Sequence, residues 1–370
     1  MAPASFASRR RAARSSRAFS IILGACLLFF LLVSWISDRH SSSQPQLQQL
    51  GGIDSSVRPT DTAMTELSNK PQGHGSVAPG SSTKVGTRKT VDLKPLRVIS
   101  YNIRYATQTP VLGERPWDVR CPKLCTQLRF ITAGHESPFI CLQEALHSQV
   151  IDIQSNLGPA WSHIGRGRGQ GETDGEFSPV FYRSDVWNCV RSETRWLSET
   201  PWKPSRGWDA VLNRIVTMGD FSHKTTGTRV IVMSTHFDHI GVKAREQSAH
   251  LLIQFAKEWS RIGEDRPSVV LIGGDFNSTP DDRAYKTMTA PGSGMSDISG
   301  LVPEDRHYGN HLTYTSFGEP REWPKRIDFL FIQEPRTAVI STFGVLANSF
   351  DDQIRSSDHR PVVSDMEITP

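Results

Sequence analysis

The sequence predicts an α/β fold, a four-layer sandwich of two packed mixed β-sheets flanked by helices. Three observations predict it. Short apolar runs rich in β-forming residues recur from Leu96 onward, some alternating and others continuous. Helical periodicity appears between those runs. The chain is 37% hydrophobic and 22% charged over 370 residues, enough for a sizeable core once its unusual N-terminus is set aside.

The expected strands read, in order, LRVISYN, FICLQE, SPVFYR, NRIVTMGDF, RVIVMSTHFD, PSVVLIGGDFN, RIDFLFIQ and RPVVSDMEI. Most are bounded by Gly, Pro, Asn or Asp, the residues that end strands in turns. The clearest helix covers residues 242–262. There Leu252, Phe255, Ala256 and Trp259 share one face, while Lys243, Arg245, Glu246 and Lys257 fall elsewhere.

Four segments divide the chain: a basic stretch at 1–17, a membrane-spanning signal anchor at 18–37, a disordered stalk at 38–94 and a folded domain at 95–370. Residues 18–37 carry no charge, which is long enough to cross a bilayer as a helix. Arg9, Arg10, Arg11, Arg14 and Arg17 precede them with no acid among them. The positive-inside rule then leaves the N-terminus cytoplasmic, giving a single-pass type II protein with its domain lumenal or extracellular. A cleaved secretory signal competes, but Trp35 and Ile36 interrupt any small-x-small cleavage site. The Ser-, Gln-, Gly- and Pro-rich stalk cannot bury enough apolar surface to offset its ordering entropy.

The net charge of +4 conceals an asymmetry. Residues 1–90 hold 11 basic and 4 acidic side chains, leaving 31 basic against 34 acidic beyond them. The domain thus has no bulk basic surface for a long polyanion, which lowers the odds of nucleic acid without excluding a local groove. Cys121 and Cys125 invite a zinc reading, but no second Cys/His pair follows at ribbon spacing. In an oxidising compartment a disulfide among Cys121, Cys125, Cys141 and Cys189 stays open.

Polar residues recur at the ends of the expected strands: Asn102, Gln143-Glu144, Thr235-His236, Asp275 and Asn277 in GDFN, and Asp328. Asp358-His359 stands just before the last strand. Each alone reads as a turn or a surface residue. Strand termini on one edge of a sheet converge, so together they could assemble one site.

In this order the elements SYNIRY, CLQEA, GEFSPVFYR, STHFDH, GGDFNSTP, RIDFLF and SDHRPV resemble the endonuclease/exonuclease/phosphatase superfamily across residues 96–367. WLSETP, GWDA and THFDHIGVKAR look like a subgroup of short microbial and fungal members. The resemblance implies a metal-dependent phosphoric ester hydrolase. Asn102, Glu144 and Asp358 would hold Mg²⁺, with Mn²⁺ an alternative, because these ions prefer hard oxygen ligands and the sequence offers no dense His/Cys cage. Asp275 would activate water, and Asn277 and His359 would contact the phosphate. Asp328 would orient His359. Glu176 and His236 would pair on the leaving-group side. Separately, strand alternation puts Asp238 on the face of His236, to assist it, and points His239 away.

The substrate stays open at this stage: a phosphodiester, including RNA for a 3′–5′ exonuclease or DNA, or a lipid or inositol phosphate. No obligate protein partner is expected. A catalytically inactive binding module is the reading of a different class, and it predicts gaps in a polar set that is complete here. Trp196, Trp202 and Trp208 could stack bases but fit loop anchors better. Arg214 is either a phosphate contact or a solvated strand-start residue.

Overall fold

The computed structural model describes residues 94–261, 268–333 and 338–368. The expected basic segment, anchor and stalk lie outside them, except that Lys94 already opens the first strand and ends the stalk one residue early. Among the described residues no helix is long and apolar enough to cross a membrane.

All eight expected runs form strands: β1 (Lys94–Asn102), β2 (Pro138–Gln143), β4 (Val180–Arg183), β6 (Ile215–His223), β7 (Arg229–His236), β8 (Val269–Asp275), β11 (Asp328–Gln333) and β13 (Val362–Ile368). Five more join them: β3 (Trp161–Ile164), β5 (Trp187–Trp196), β9 (Met295–Asp297), β10 (His307–Gly309) and β12 (Ala338–Val345). They build a seven-stranded sheet, β10-β12-β13-β1-β2-β4-β3, and a six-stranded sheet, β5-β6-β7-β8-β11-β9. Both are mixed: β1 runs parallel to β2 and antiparallel to β13, while β7 runs parallel to β8 and β8 antiparallel to β11.

Three apolar layers hold the sandwich together. Val98, Phe139 and Cys141 of the first sheet meet Val232, Leu271 and Leu330 of the second in a buried inter-sheet core. The outer face of the first sheet, with Ile99, Tyr101 and Ile140, is covered by α1 (Trp117–Thr132) and α2 (His147–Leu157). The outer face of the second is covered by α3 (Val242–Ser260) and the short α4 (Arg283–Met288), where Leu252, Phe255 and Trp259 pack on Met233, Ile272 and Phe331. The sandwich therefore has the four expected layers.

Gly273 sets the distance between the sheets beneath the polar edge. A Cβ there would fall 2.8 Å from Cys141 Cβ, closer than real Cβ atoms pack, and a tight 3.2 Å from Ser100 Cβ. It and Gly274 lie inside β8 rather than in a turn.

The register then brings the polar residues to one end. Asn102 pairs with Gln143 across β1 and β2, His236 with Asp275 across β7 and β8, and Asp275 with Asp328 across β8 and β11. His359 precedes β13, which is antiparallel to β1, and so enters from the same edge. The cysteines at 121, 125, 141 and 189 are free thiols. Cys121 and Cys125 lie one helical turn apart with sulfurs 3.8 Å apart, and Cys141 is sealed in the inter-sheet core.

Candidate active site

A cleft of about 490 Å³ opens at this edge and is lined by Glu144, Glu176, His236, Asp275, Asn277, Asp358 and His359. Asn102 and Asp328 lie buried directly behind it. All nine residues expected from the sequence are thus at one place.

The centre is a set of oriented carboxylates. Asn102 Nδ2 donates to Glu144 Oε1 at 3.0 Å and to Asp275 Oδ2 at 2.9 Å, joining the two sheets through one amide. Its Oδ1 accepts from the Arg104 backbone N–H at 3.0 Å. An amide oxygen carries two lone pairs, so Oδ1 could take a cation while Nδ2 keeps both carboxylates. Glu144 also accepts from the Tyr105 N–H at 3.2 Å, and Asp275 Oδ1 from the Asn277 N–H at 2.9 Å. Glu144, Asn277 and Arg104 all have positive φ, at 61°, 46° and 56°. Such backbone costs on the order of 1 kcal/mol or more at a non-glycine residue, and it turns these side chains out of the strand line into the cleft.

His359 and Asp328 form a tight pair. The ring Nδ1–H donates to Asp328 Oδ2 at 2.8 Å, and Nε2 lies 3.7 Å from Asp275 Oδ2. Tyr314 packs edge-on against the ring, 5.1 Å between centroids.

Charge crowding sets the protonation states. Burial opposes ionisation of Glu144, yet Arg104 and the Asn102 amide hold it below the usual carboxylate range. Burial, reinforced by Asp328, lifts Asp275 to about 7. Burial and the neighbouring Glu144 lift Glu176 to about 7. Burial and Glu144 also raise Asp358, against the pull of His359. Burial alone would depress His359, but Asp328 and Asp275 carry it to about 10, so it is a cation at neutral pH. His236 goes the other way: burial, then Arg214 and Arg168, keep it neutral, well below its usual value.

This donor set fits a divalent cation. Carboxylates that raise one another across a shared cleft are relieved by positive charge between them, and the available donors are hard oxygens. Asp275, Asp328 and His359 also gather within 4.8 Å and could hold an ion. Glu144 and Asp358 offer hard-oxygen donors in the same cleft, with Asn102 hydrogen-bonded to Glu144.

Several expected roles change. Glu176 does not hydrogen-bond His236: its Oε2 is 4.0 Å from His236 Nδ1, while its Oε1 accepts from Arg168 Nη2 at 2.6 Å. Among the described residues nothing hydrogen-bonds His236 Nδ1. Asn277 Nδ2 donates to His236 Nε2 at 2.9 Å and to the Phe237 carbonyl at 3.0 Å, which positions His236. Asp238 does not assist His236. It accepts from the Leu212, Ile240 and Gly241 N–H groups and from Arg214 Nε, because β7 has already ended at His236 and the chain turns. That same turn brings His239 to the cleft, with Nδ1 3.0 Å from Arg214 Nη2.

Arg214 is buried and lines the cleft, which excludes a solvated role. Arg104, Tyr105, Arg168 and Tyr314 line it as well and were not anticipated. Arg104 and Tyr105 follow Asn102 directly and were legible in SYNIRY; Arg168 and Tyr314 come from loops without a strand signal. Trp196 is a buried anchor whose Nε1 donates to the Arg168 carbonyl at 2.9 Å. Trp208 is half-buried and Trp202 is exposed.

The endonuclease/exonuclease/phosphatase family model matches residues 99–359, most of the chain. The chain belongs to this family. Among solved structures, a family member from Bacteroides vulgatus is 35% identical with a TM-score of 0.65, covering 74% of this chain and 99% of its own. A mannosyl-6-phosphatase from Bacteroides thetaiotaomicron is 32% identical with a TM-score of 0.65, covering 73% of this chain and 99% of its own. D. rerio TDP2, complexed with single-strand DNA product, shares the fold at 17% identity and a TM-score of 0.57, covering 74% of this chain and 98% of its own. No curated protein sequence matches the chain. Family membership makes phosphoester hydrolysis the general chemistry of the site.

Proposed function

We propose that the chain is a Mg²⁺-dependent phosphatase that hydrolyses a phosphoester on a small substrate held in the strand-end cleft. One observation carries the reading: a cationic His359 and the Arg104 guanidinium share a single cleft with Asp275, whose carboxyl titrates near neutrality. A phosphomonoester dianion suits that cationic density, and about 490 Å³ suits a small molecule. Likeness to the mannosyl-6-phosphatase and the acidic balance beyond residue 90 favour this over a long polynucleotide. The nuclease alternative has fold-level support only, and the lipid and inositol phosphate alternatives rest on the sequence.

Glu144, Asp358 and Asn102 would hold the cation. When bound, it polarises a phosphoryl oxygen and offsets charge. Asp275, fixed through both oxygens by Asn102 and the Asn277 N–H, takes the proton of the attacking water. His359 presents Nε2–H as a fixed positive charge to the phosphoryl group, with Asp328 holding the ring. His236 remains neutral beside Asp275, its Nε2 3.4 Å from Asp275 Oδ2. Residues 18–37 following five arginines support a membrane tether with the catalytic part lumenal or extracellular. Protease protection in intact microsomes checks that placement.

The functional test is hydrolysis by the full-length protein of hexose phosphates, inositol phosphates, sphingomyelin, RNA and DNA, with Mg²⁺ and with EDTA. Metal-dependent release of phosphate from small monoesters is expected. Turnover of polynucleotide alone, or turnover indifferent to EDTA, overturns the proposal.

A further inference from the structure

One wall of the cleft is backed by two arginine–carboxylate pairs. Arg168 Nη2 donates to Glu176 Oε1 at 2.6 Å, and Arg214 Nε to Asp238 Oδ2 at 3.4 Å. His239 extends the second pair through Arg214 Nη2. Each guanidinium is already engaged by its own carboxyl group, so this wall offers alternating donors and acceptors. It is poorly matched to a second anion and well matched to hydroxyl groups, which donate to a carboxylate and accept from a guanidinium. Glu176 Oε2 sits beyond hydrogen-bonding distance of His236, leaving an acceptor on the wall.

The wall is also rigid. The loop carrying it closes on itself through Arg168 N–H to the Glu176 carbonyl at 3.0 Å and Gly169 N–H to the Asp174 carbonyl at 2.8 Å. The Arg168 carbonyl accepts from Trp196 Nε1 at 2.9 Å and Asn213 Nδ2 at 3.1 Å. Two backbone N–H groups fix Asp238 Oδ1. Held in this way, the pairs can discriminate a substrate's shape without first being ordered by it.

We propose that Arg168, Glu176, Arg214 and His239 form a polyol subsite that grips vicinal hydroxyls on the alcohol half of a sugar phosphate. This rests on the phosphatase reading above and reassigns Glu176 from the leaving group to the substrate's hydroxyls.

The test compares a hexose 6-phosphate with n-hexyl phosphate, whose leaving group is also a primary alkoxide but carries no hydroxyls. Arg168→Gln and Glu176→Gln should each lower kcat/KM roughly 10- to 100-fold more for the hexose ester than for the alkyl ester, chiefly through KM, the size of lost hydrogen bonds to charged groups. Equal losses on both esters, carried in kcat, overturn the subsite and return Glu176 to the leaving group. Calorimetry on EDTA-treated full-length protein reads the same preference without turnover. There the wild type should bind the hexose ester more tightly than the alkyl ester, and either variant should erase the difference. If the wild type binds both alike, the subsite is wrong even where hydrolysis is confirmed. If it shows the preference but no hydrolysis, the phosphatase reading fails and the subsite stands.

Discussion

His359 Nδ1 stands 2.8 Å from Asp328 Oδ2 while its Nε2 faces Asp275 Oδ2 at 3.7 Å, so one imidazole spans two acids with different duties. Asp328 fixes the ring and keeps it charged; Asp275 lies on the reacting side. His359→Gln and Asp328→Asn should each cost roughly 10²–10⁴-fold in kcat. The double variant should be no slower than the worse single, because both act through one ring. Multiplying effects would contradict the pairing. Asp328→Asn should also move the alkaline limb of the pH–rate profile down from about 10, since it removes the larger of the two carboxylate charges supporting the imidazolium.

Glu144 and Asp275 separate in a metal titration. Glu144→Gln should raise the Mg²⁺ concentration needed for half-maximal rate, because it removes a ligand carboxylate. Asp275→Asn should depress kcat roughly 10²–10⁴-fold even at saturating Mg²⁺, since the water loses its base. Near-wild-type kcat for Asp275→Asn would remove Asp275 from the mechanism.

Proton linkage predicts how the cation stabilises the fold. Glu176 and Asp275 rise to about 7 from ordinary values of 4.5 and 3.8, so between those limits the folded, metal-free protein holds more protons than the unfolded chain. Their contribution to stability therefore falls as pH climbs from about 4 to about 7. A cation among the carboxylates counters that loss and binds better once they ionise. The Tm gained on adding Mg²⁺ should be larger at pH 7.5 than at pH 5. Equal gains at both would place the ion elsewhere.

Much of this site was legible in the sequence because its residues sit at the ends of strongly apolar strands. LRVISYN and PSVVLIGGDFN are nearly continuous hydrophobic runs, buried on both faces, and the polar residue closing each run marks the edge of its sheet. What escaped was carried by weak local patterns. β5 lies at a sheet edge, where the half-buried Arg191 and Arg195 cover Trp259 and Phe255 with polar side chains instead of an apolar stripe. α1 contains Pro122, which interrupts a helical reading. Arg168 and His239 reach the cleft only because a loop closes on itself and a strand stops, events decided by contacts far along the chain. Asp238 was misread for the same reason: extending β7's alternation past His236 assumed a strand that Asp238 itself helps to end.

Gly273 offers a structural test of how the two sheets make one site. Its missing Cβ lets β8 approach β1 and β2, where Asn102 bonds both Glu144 and Asp275. Gly273→Ala must push against the Cβ atoms of Cys141 and Ser100, both in rigid strands. Overpacking of this kind costs about 1–3 kcal/mol. The Asn102 bridge should loosen with it, so kcat should fall further than Tm alone explains. Full activity at a temperature where the variant is folded would show that the inter-sheet spacing does not govern the site.

Asn277 carries the last prediction, because Asn277-Ser278-Thr279 is an N-glycosylation sequon inside the active site. Its Nδ2 uses one proton for His236 Nε2 and the other for the Phe237 carbonyl. A glycan would replace one of those protons and place a sugar in the cleft beside Asp275. If the catalytic part passes through a secretory lumen, active protein should therefore carry an unmodified Asn277, readable by mass spectrometry of the purified active fraction. Asn277→Asp, which removes the sequon, also removes both protons and sets a carboxylate against His236, so it should raise the histidine's pKa and lower activity at neutral pH. NMR titration of His236 reads the first effect and initial rates the second. A protein fully glycosylated at Asn277 that still turns over substrate would show that this cleft is not where the chemistry occurs.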